Sequence, residues 1–232
     1  MNLTSQIANR LRKQTRRLFL PSPDFDNAET VHRMRVASRR LRAGLRFFGV
    51  RCPPELRRLG HVLGAVRALD VHRALLRDAP QRCPVLERRF AQERRRRVAE
   101  LQRLYRAMNP VVWQQRPVDA HRVLERLRQT MEKRLRQFEK KESRAAFHRL
   151  RIAVKKYRYG LEIAGATKPV KPLKRLQELM GACHDVETLL KELPPGALRE
   201  HFEKEHKRRW AAVRKLLDDR RHWVKKVKWD HD

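Results

Sequence analysis

Three features of this 232-residue sequence predict an all-α fold: paired prolines at intervals, helix-forming segments between them, and a long motif that occurs twice. Proline removes a backbone donor and clashes with the preceding turn, so proline clusters between apolar-periodic segments end helices. The twelve prolines fall at Pro21 and Pro23, Pro53 and Pro54, Pro80 and Pro84, Pro110 and Pro117, Pro169 and Pro172, and Pro194 and Pro195. The first segment therefore ends at Pro21, the second runs from Pro23 to Pro53, the third from Pro54 to Pro80, and the fourth from Pro84 to Pro110. One break in the second half, near Glu142-Ser143, has no proline and divides the stretch from Pro117 to Pro169. The segment from Pro172 to Pro194 and the one after Pro195 complete the series. These segments are roughly 20 to 35 residues long and rich in Leu, Arg, Glu and Ala, all good helix formers. No β-branched run alternates with period two, and glycine is scarce at eight residues. About eight long helices and no sheet are expected.

Residues 31–48 read VHRMRVASRRLRAGLRFF, and residues 147–164 read FHRLRIAVKKYRYGLEIA. Without a gap, His32 matches His148, Arg35 matches Arg151, Arg39 matches Lys155, Arg40 matches Lys156, Arg42 matches Arg158 and Gly44 matches Gly160. Further on, Leu63-Gly64-Ala65 returns as Met180-Gly181-Ala182. A repeat of two long units predicts a duplication in which each half supplies about four helices, giving a pseudo-symmetric pair of bundles. One domain over residues 1–232 is expected, with half-repeats 1–112 and 113–232.

Lys and Arg total 58 against 26 Asp and Glu, a formal net charge of +32. Like charges at this density repel one another and favour an anionic partner. A basic chain poor in apolar residues stays disordered, but here 41% of residues are hydrophobic, enough for a buried core. Cys52, Cys83 and Cys183 are odd in number and far apart, which fits neither a disulfide framework nor a zinc pattern. They read as small, mostly buried residues in a reducing compartment. No apolar run is long enough for a signal peptide or a membrane span. The cytosol is the expected location, and the early basic stretch from Arg10 to Arg17 also fits a mitochondrial or plastid transit peptide.

Positions i, i+3, i+7 and i+10 share one face of a helix. His32, Arg35, Arg39 and Arg42 have this spacing, as do His148, Arg151, Lys155 and Arg158; each set spans an arc of about 80°. Arg46 continues the first stripe, and Glu162 stands at the matching place in the second. Met34, Leu41, Leu45 and Phe48, with Leu150, Tyr157 and Leu161, form separate apolar stripes. A charged stripe is most often a solvated face laced with acid–base pairs, and Arg158 and Glu162 are spaced for one. The first stripe, however, has no acid between Glu29 and Glu55, so something outside the helix has to neutralise it. The two histidines lack a second ligand at i+3 or i+4, where Arg35 and Val36, or Arg151 and Ile152, would repel a cation; no metal site is expected. Beside phosphates an imidazole instead protonates and donates.

These paired strings resemble the two signature helices of the CHAD family (conserved histidine α-helical domain). Residues 173–190, LKRLQELMGACHDVETLL, resemble its second-half pattern through Leu176, Gln177, Gly181, His184 and Asp185. Residues 63–71, LGAVRALDV, resemble the first-half pattern, keeping Arg67 and Asp70 but carrying Ala68 where the family usually has an acid. The resemblance spans essentially the whole chain. It implies two pseudo-symmetric helical bundles around a basic central groove that binds inorganic polyphosphate. Carried over by position, the binding residues would be His32, Arg35, Arg39, Arg40, Arg42, His148, Arg151, Lys155, Lys156 and Arg158, with Tyr159 also fitting the second-half pattern; Arg46, which continues the first stripe, is expected to join them. Association with polyphosphate granules would follow. No cofactor and no membrane are implied.

Two other functions compete with this expectation. General nucleic-acid binding is permitted by the charge, but aromatics are only 6% and are not interleaved with the basic stripes as a stacking platform requires. Weak, sequence-indifferent binding is expected as a side effect. A polyphosphate-processing enzyme would need carboxylates to hold magnesium and a positioned base. The signature helices offer only Glu162 for that work, so catalysis is not expected.

Overall fold

The computed structural model describes residues 2–114 and 116–219. Asn2, Asn27, Asp119 and Ser143 each accept a first-turn N–H with a side-chain oxygen, and prolines open two further helices. Such caps satisfy donors that have no acceptor within the helix. The resulting order is α1 (Leu3–Leu18), α2 (Ala28–Leu45), α3 (Pro54–Arg77), α4 (Pro84–Arg106), α5 (Ala120–Lys140), α6 (Arg144–Ala164), α7 (Val170–Leu190) and α8 (Ala197–Asp218). Eight helices and no strand are found among the described residues, as the prolines and the composition predict. The break without a proline falls at Ser143, whose Oγ accepts from the Ala146 N–H at 3.2 Å. Arg46 lies one residue past the end of α2 and is its C-cap.

Helices adjacent in sequence pack together from α1 to α4 and again from α5 to α8. The two sets meet through α2 on α6, α1 on α6 and α3 on α7. The close approaches of α1 to α2 and α5 to α6 depend on glycine. A Cβ at Gly44 would strike the Leu11 side chain, and one at Gly160 would lie 2.9 Å from Leu127 Cδ1. The predicted apolar stripes face inward: Met34, Leu41, Leu45, Phe48, Leu150, Tyr157 and Leu161 are all 3% exposed or less. One apolar core runs through both sets of helices, and a smaller one, including Leu76, Phe90, Leu189 and Phe202, joins α3, α4, α7 and α8.

The connection from α1 to α2 is fixed to α4. Buried Arg94 donates to Asp70 Oδ1 at 2.6 Å and to the Asp26 carbonyl at 2.9 Å, while the Tyr105 hydroxyl donates to the Leu20 carbonyl at 2.7 Å. Cys183 is buried, whereas Cys52 and Cys83 are partly exposed; all three are free thiols. Trp210 of α8 packs on Phe147 at 4.5 Å between ring centres and is a packing residue. Trp223 and Trp229, from the same basic C-terminal stretch, lie outside the described residues. No helix is long and apolar enough to cross a membrane.

Candidate functional site

Helices α2 and α6 carry the two histidine-arginine stripes and pack against each other. Both contacting faces carry cations. Arg35 and Arg39 from α2 stand beside Arg151, Lys155 and Tyr159 from α6, with Arg67 of α3 and Asp185 of α7 adjoining them. Asp185 is the carboxylate whose field reaches Arg35, Arg151 and Lys155 together. Among the described residues none of Arg35, Arg39, Arg67, Arg151 and Lys155 forms an ion pair with a carboxylate. Arg39 lies close enough to the Tyr159 hydroxyl for its charge to act on it.

The cost of this arrangement appears in the pKa values. Burial, then the fields of Arg151, Arg39 and Arg35, push the Lys155 ammonium down to about 7, against a partial rescue by Asp185. Burial, with Arg39 adding to it, brings Arg35 down to about 10. Arg151 is lowered chiefly by burial, with Arg39 adding to it while Asp185 opposes. Burial pushes the Tyr159 hydroxyl up, but Arg39 and Arg158 outweigh it and leave the hydroxyl below its ordinary value.

Three buried nitrogens in or beside the cluster have no hydrogen-bond partner: Arg35 Nε, Arg151 Nε and His32 Nδ1. A buried polar atom without a partner costs about 1–3 kcal/mol, and more when it belongs to a charged group. Native proteins rarely leave such atoms unsatisfied. Buried, unpartnered donors among like charges suit a partner that accepts hydrogen bonds and carries negative charge.

The histidines flank this cluster differently. Burial lowers the pKa of His32, and the nearby Arg67 lowers it further. Burial and then Arg151 and Lys155 lower that of His148, which stands 6.0 Å from the His184 ring. His184 is itself lowered by burial and Arg151, and its Nδ1 lies 3.6 Å from Glu187 Oε2. The neighbours differ: Arg67 and Glu29 attend His32, whereas His184, Asp185 and Glu187 attend His148 or Arg151.

The remaining predicted residues occupy other places. Arg42 lies over Gly60, where a Cβ would sit 2.9 Å from its guanidinium carbon, and Nε donates to the Ser38 carbonyl at 3.4 Å. It borders the cluster through Arg39 and Tyr159. Lys156 is exposed, with Arg46 and Arg134 as its charged neighbours. Arg40 and Arg158 are both held by Glu162. Arg40 Nε donates to it at 2.8 Å, and Arg158 pairs with its other oxygen while donating to Gln177 Oε1 at 3.0 Å. Arg158 is also buried and lies 4.4 Å over the Tyr159 ring. Glu162 of α6 thus neutralises Arg40, which lies beside the first stripe, and Arg158 of the second stripe.

Sequence reasoning did not place Arg67, His184 or Asp185 in the site, although the glycine-centred repeat carried the signal. Aligning Gly64 with Gly181 sets Arg67 opposite His184 and Ala68 opposite Asp185. Asp70 has a different duty, its buried pair with Arg94. Among the described residues, no group of three or more His, Cys, Asp or Glu is arranged to hold a metal.

The sequence model of the CHAD domain matches residues 6–194. No curated protein matches the chain. Among solved structures, the crystal structure of the CHAD domain from the plant Ricinus communis is similar with a TM-score of 0.63 at 23% identity, covering 97% of this chain and 92% of that one. At that identity the likeness concerns the fold.

Proposed function

We propose that this chain, which belongs to the CHAD domain family, binds inorganic polyphosphate without transforming it. The polymer lies in a basic groove between two related halves, 1–112 and 113–232. The observation that carries this reading is the set of buried, unpartnered nitrogens on Arg35, Arg151 and His32 among cations that Asp185 and, at Arg151, Glu187 offset without forming an ion pair with them. A polymer with a charge on every unit supplies an acceptor oxygen to each. Arg grips phosphate by its fork and Lys by its point charge. The acids near the cluster are Asp185 and Glu187 and its other charged members are cations; a cation-dominated site suits binding better than phosphoryl transfer, which calls on several carboxylates to hold magnesium. Recruitment of the chain to polyphosphate granules in the cytosol is the corresponding cellular role.

A competition at near-physiological salt tests this. Labelled long-chain polyphosphate is displaced by short-chain polyphosphate, single-stranded RNA and duplex DNA, matched by phosphate concentration. Strong preference for the long polymer is expected. Equal displacement by nucleic acid would mean that charge is read without selectivity, and the general nucleic-acid reading would replace this one.

A further inference from the structure

A cavity of about 500 Å³ lies where α1 and α2 meet the corner between α6 and α7. Its polar lining comes from Arg10, Gln14, Arg40, Glu162 and Thr167, and none of Arg35, Arg39, Arg151 or Lys155 contributes.

The charged groups in it are held in place. The Arg10 guanidinium donates to the Ile163 carbonyl at 3.2 Å and to Gln6 Oε1 at 3.4 Å. It rests on Gly165, where a Cβ would lie 2.7 Å from the guanidinium carbon and where φ is +95°. Only glycine suits that position, in conformation and in space alike. The carboxylate of Glu162 is shared by Arg40 and Arg158, so its charge is already matched. Helix α7 begins at this cavity with Val170, has no side-chain cap and has no acid in its first turn. The N–H groups of Val170 and Lys171 have no acceptor within their own helix, and the positive end of the helix dipole lies there too.

A second, independent observation points to a ligand. Gln14 is only 7% exposed, lines the cavity, and its Oε1 has no hydrogen-bond partner. That oxygen is closed off from solvent, and because a side-chain amide turns over without changing shape, the buried, unpartnered group can be turned toward whatever occupies the space.

We propose that this cavity is a second binding site, distinct from the cation cluster, for a small phosphate oxyanion such as orthophosphate or pyrophosphate. Arg10, Arg40, the Gln14 amide and the first-turn N–H groups of α7 hold it. A partly protonated phosphate both donates and accepts, which suits a lining that contains Glu162 beside two guanidiniums. The site does not depend on the polymer reading, and it gives Arg40 a role separate from the residues it adjoins in sequence.

The test uses the 232-residue chain labelled with nitrogen-15 and titrated with pyrophosphate, then orthophosphate, at constant ionic strength. The backbone amides of Val170 and Lys171 and the Gln14 side-chain amide are expected to shift. Gln14→Leu should weaken pyrophosphate binding, read at the Val170 and Lys171 amides, by about tenfold. Gln14→Glu keeps the helix and length but adds a like charge, and should abolish it. In the double variant Arg35→Gln/Arg151→Gln, the pyrophosphate-induced shifts at Val170, Lys171 and Gln14 should persist unchanged. Shifts confined to α2 and the Arg151 turn, or unchanged affinity in both Gln14 variants, would overturn the proposal. Displacement of pyrophosphate by acetate as readily as by orthophosphate would overturn the phosphate assignment. Long-chain polyphosphate affinity, measured on the same proteins, is expected to fall only in the double variant, so the two readings fail independently.

Discussion

Arg40 of α2 donates from Nε to Glu162 Oε2 of α6 at 2.8 Å, a contact between residues 122 positions apart. Because Arg158 holds the other carboxylate oxygen, one acid neutralises a cation from each signature helix. The carboxylate is 16% exposed and the Arg158 side chain 8%, so water replaces little of what Glu162 supplies. Removing one partner of a buried pair leaves the other charge uncompensated. Glu162→Ala is expected to cost about 3 kcal/mol of stability, read by urea denaturation. Loss of less than about 1 kcal/mol would place the pair among ordinary surface bridges.

Replacing Arg35, Arg39, Arg151 and Lys155 together with Ala should lower polyphosphate affinity at least about a hundredfold, because four cationic donors to phosphate are removed at once. Far-ultraviolet circular dichroism should stay helical, because none of the four forms an ion pair within the described fold. Unchanged affinity with intact helicity would remove these residues from the site.

Lys155 gives the stability a distinct pH dependence. Its ammonium is near pH 7 in the fold against about 10.5 for an unperturbed lysine. Between those values the unfolded chain binds more protons than the folded one, so stability should rise as pH increases from 7 to 10.5. Below pH 7 both states are protonated and the penalty is fully present. Lys155→Met removes the charge and keeps the length; it should raise the ligand-free melting temperature and flatten this dependence. A melting temperature below that of the parent protein at pH 7 would contradict the account.

Binding should carry the opposite proton linkage. A polyanion stabilises the charged forms of Lys155, His32, His148 and His184, all of which sit below their ordinary values in the free protein. Polyphosphate affinity should therefore strengthen as pH falls through 7 and on through about 6.5. Calorimetry in two buffers of different ionisation enthalpy should show net proton uptake at pH 7.5. No uptake, with His32→Ala and His148→Ala binding normally, would make the histidines structural.

Salt should weaken binding by counterion release. If Arg35, Arg39, Arg67, Arg151 and Lys155 each meet a phosphate, the slope of log K against log salt is expected near −3.5, taking about 0.7 per phosphate met. Arg67→Gln should make it shallower by about 0.7. An unaltered slope would place Arg67 away from the polymer.

Much of this protein was written along the chain. Prolines and the capping residue Ser143 place the helix ends because their chemistry acts within a turn. The stripes of Met34, Leu41 and Leu45 and of Leu150, Tyr157 and Leu161 mark the buried faces because burial follows helical periodicity. The identity of the cationic stripes was legible for the same reason. What periodicity does not encode is which cation meets which acid. Arg40 and Arg158 read as equals of Arg35 and Arg151, yet Glu162 holds the first two while the latter keep unpartnered nitrogens. Arg67 and Asp185 join the cluster from α3 and α7, and Gln14 faces its cavity from α1, with no spacing to announce it. Charge pairing and burial depend on which helices touch, and long-range packing decides that. The sequence by itself determined an all-helical, strongly basic chain with two cationic stripes; the tertiary structure alone decided which of those charges remain without a counterion, because Coulomb and desolvation energies depend on distance in space.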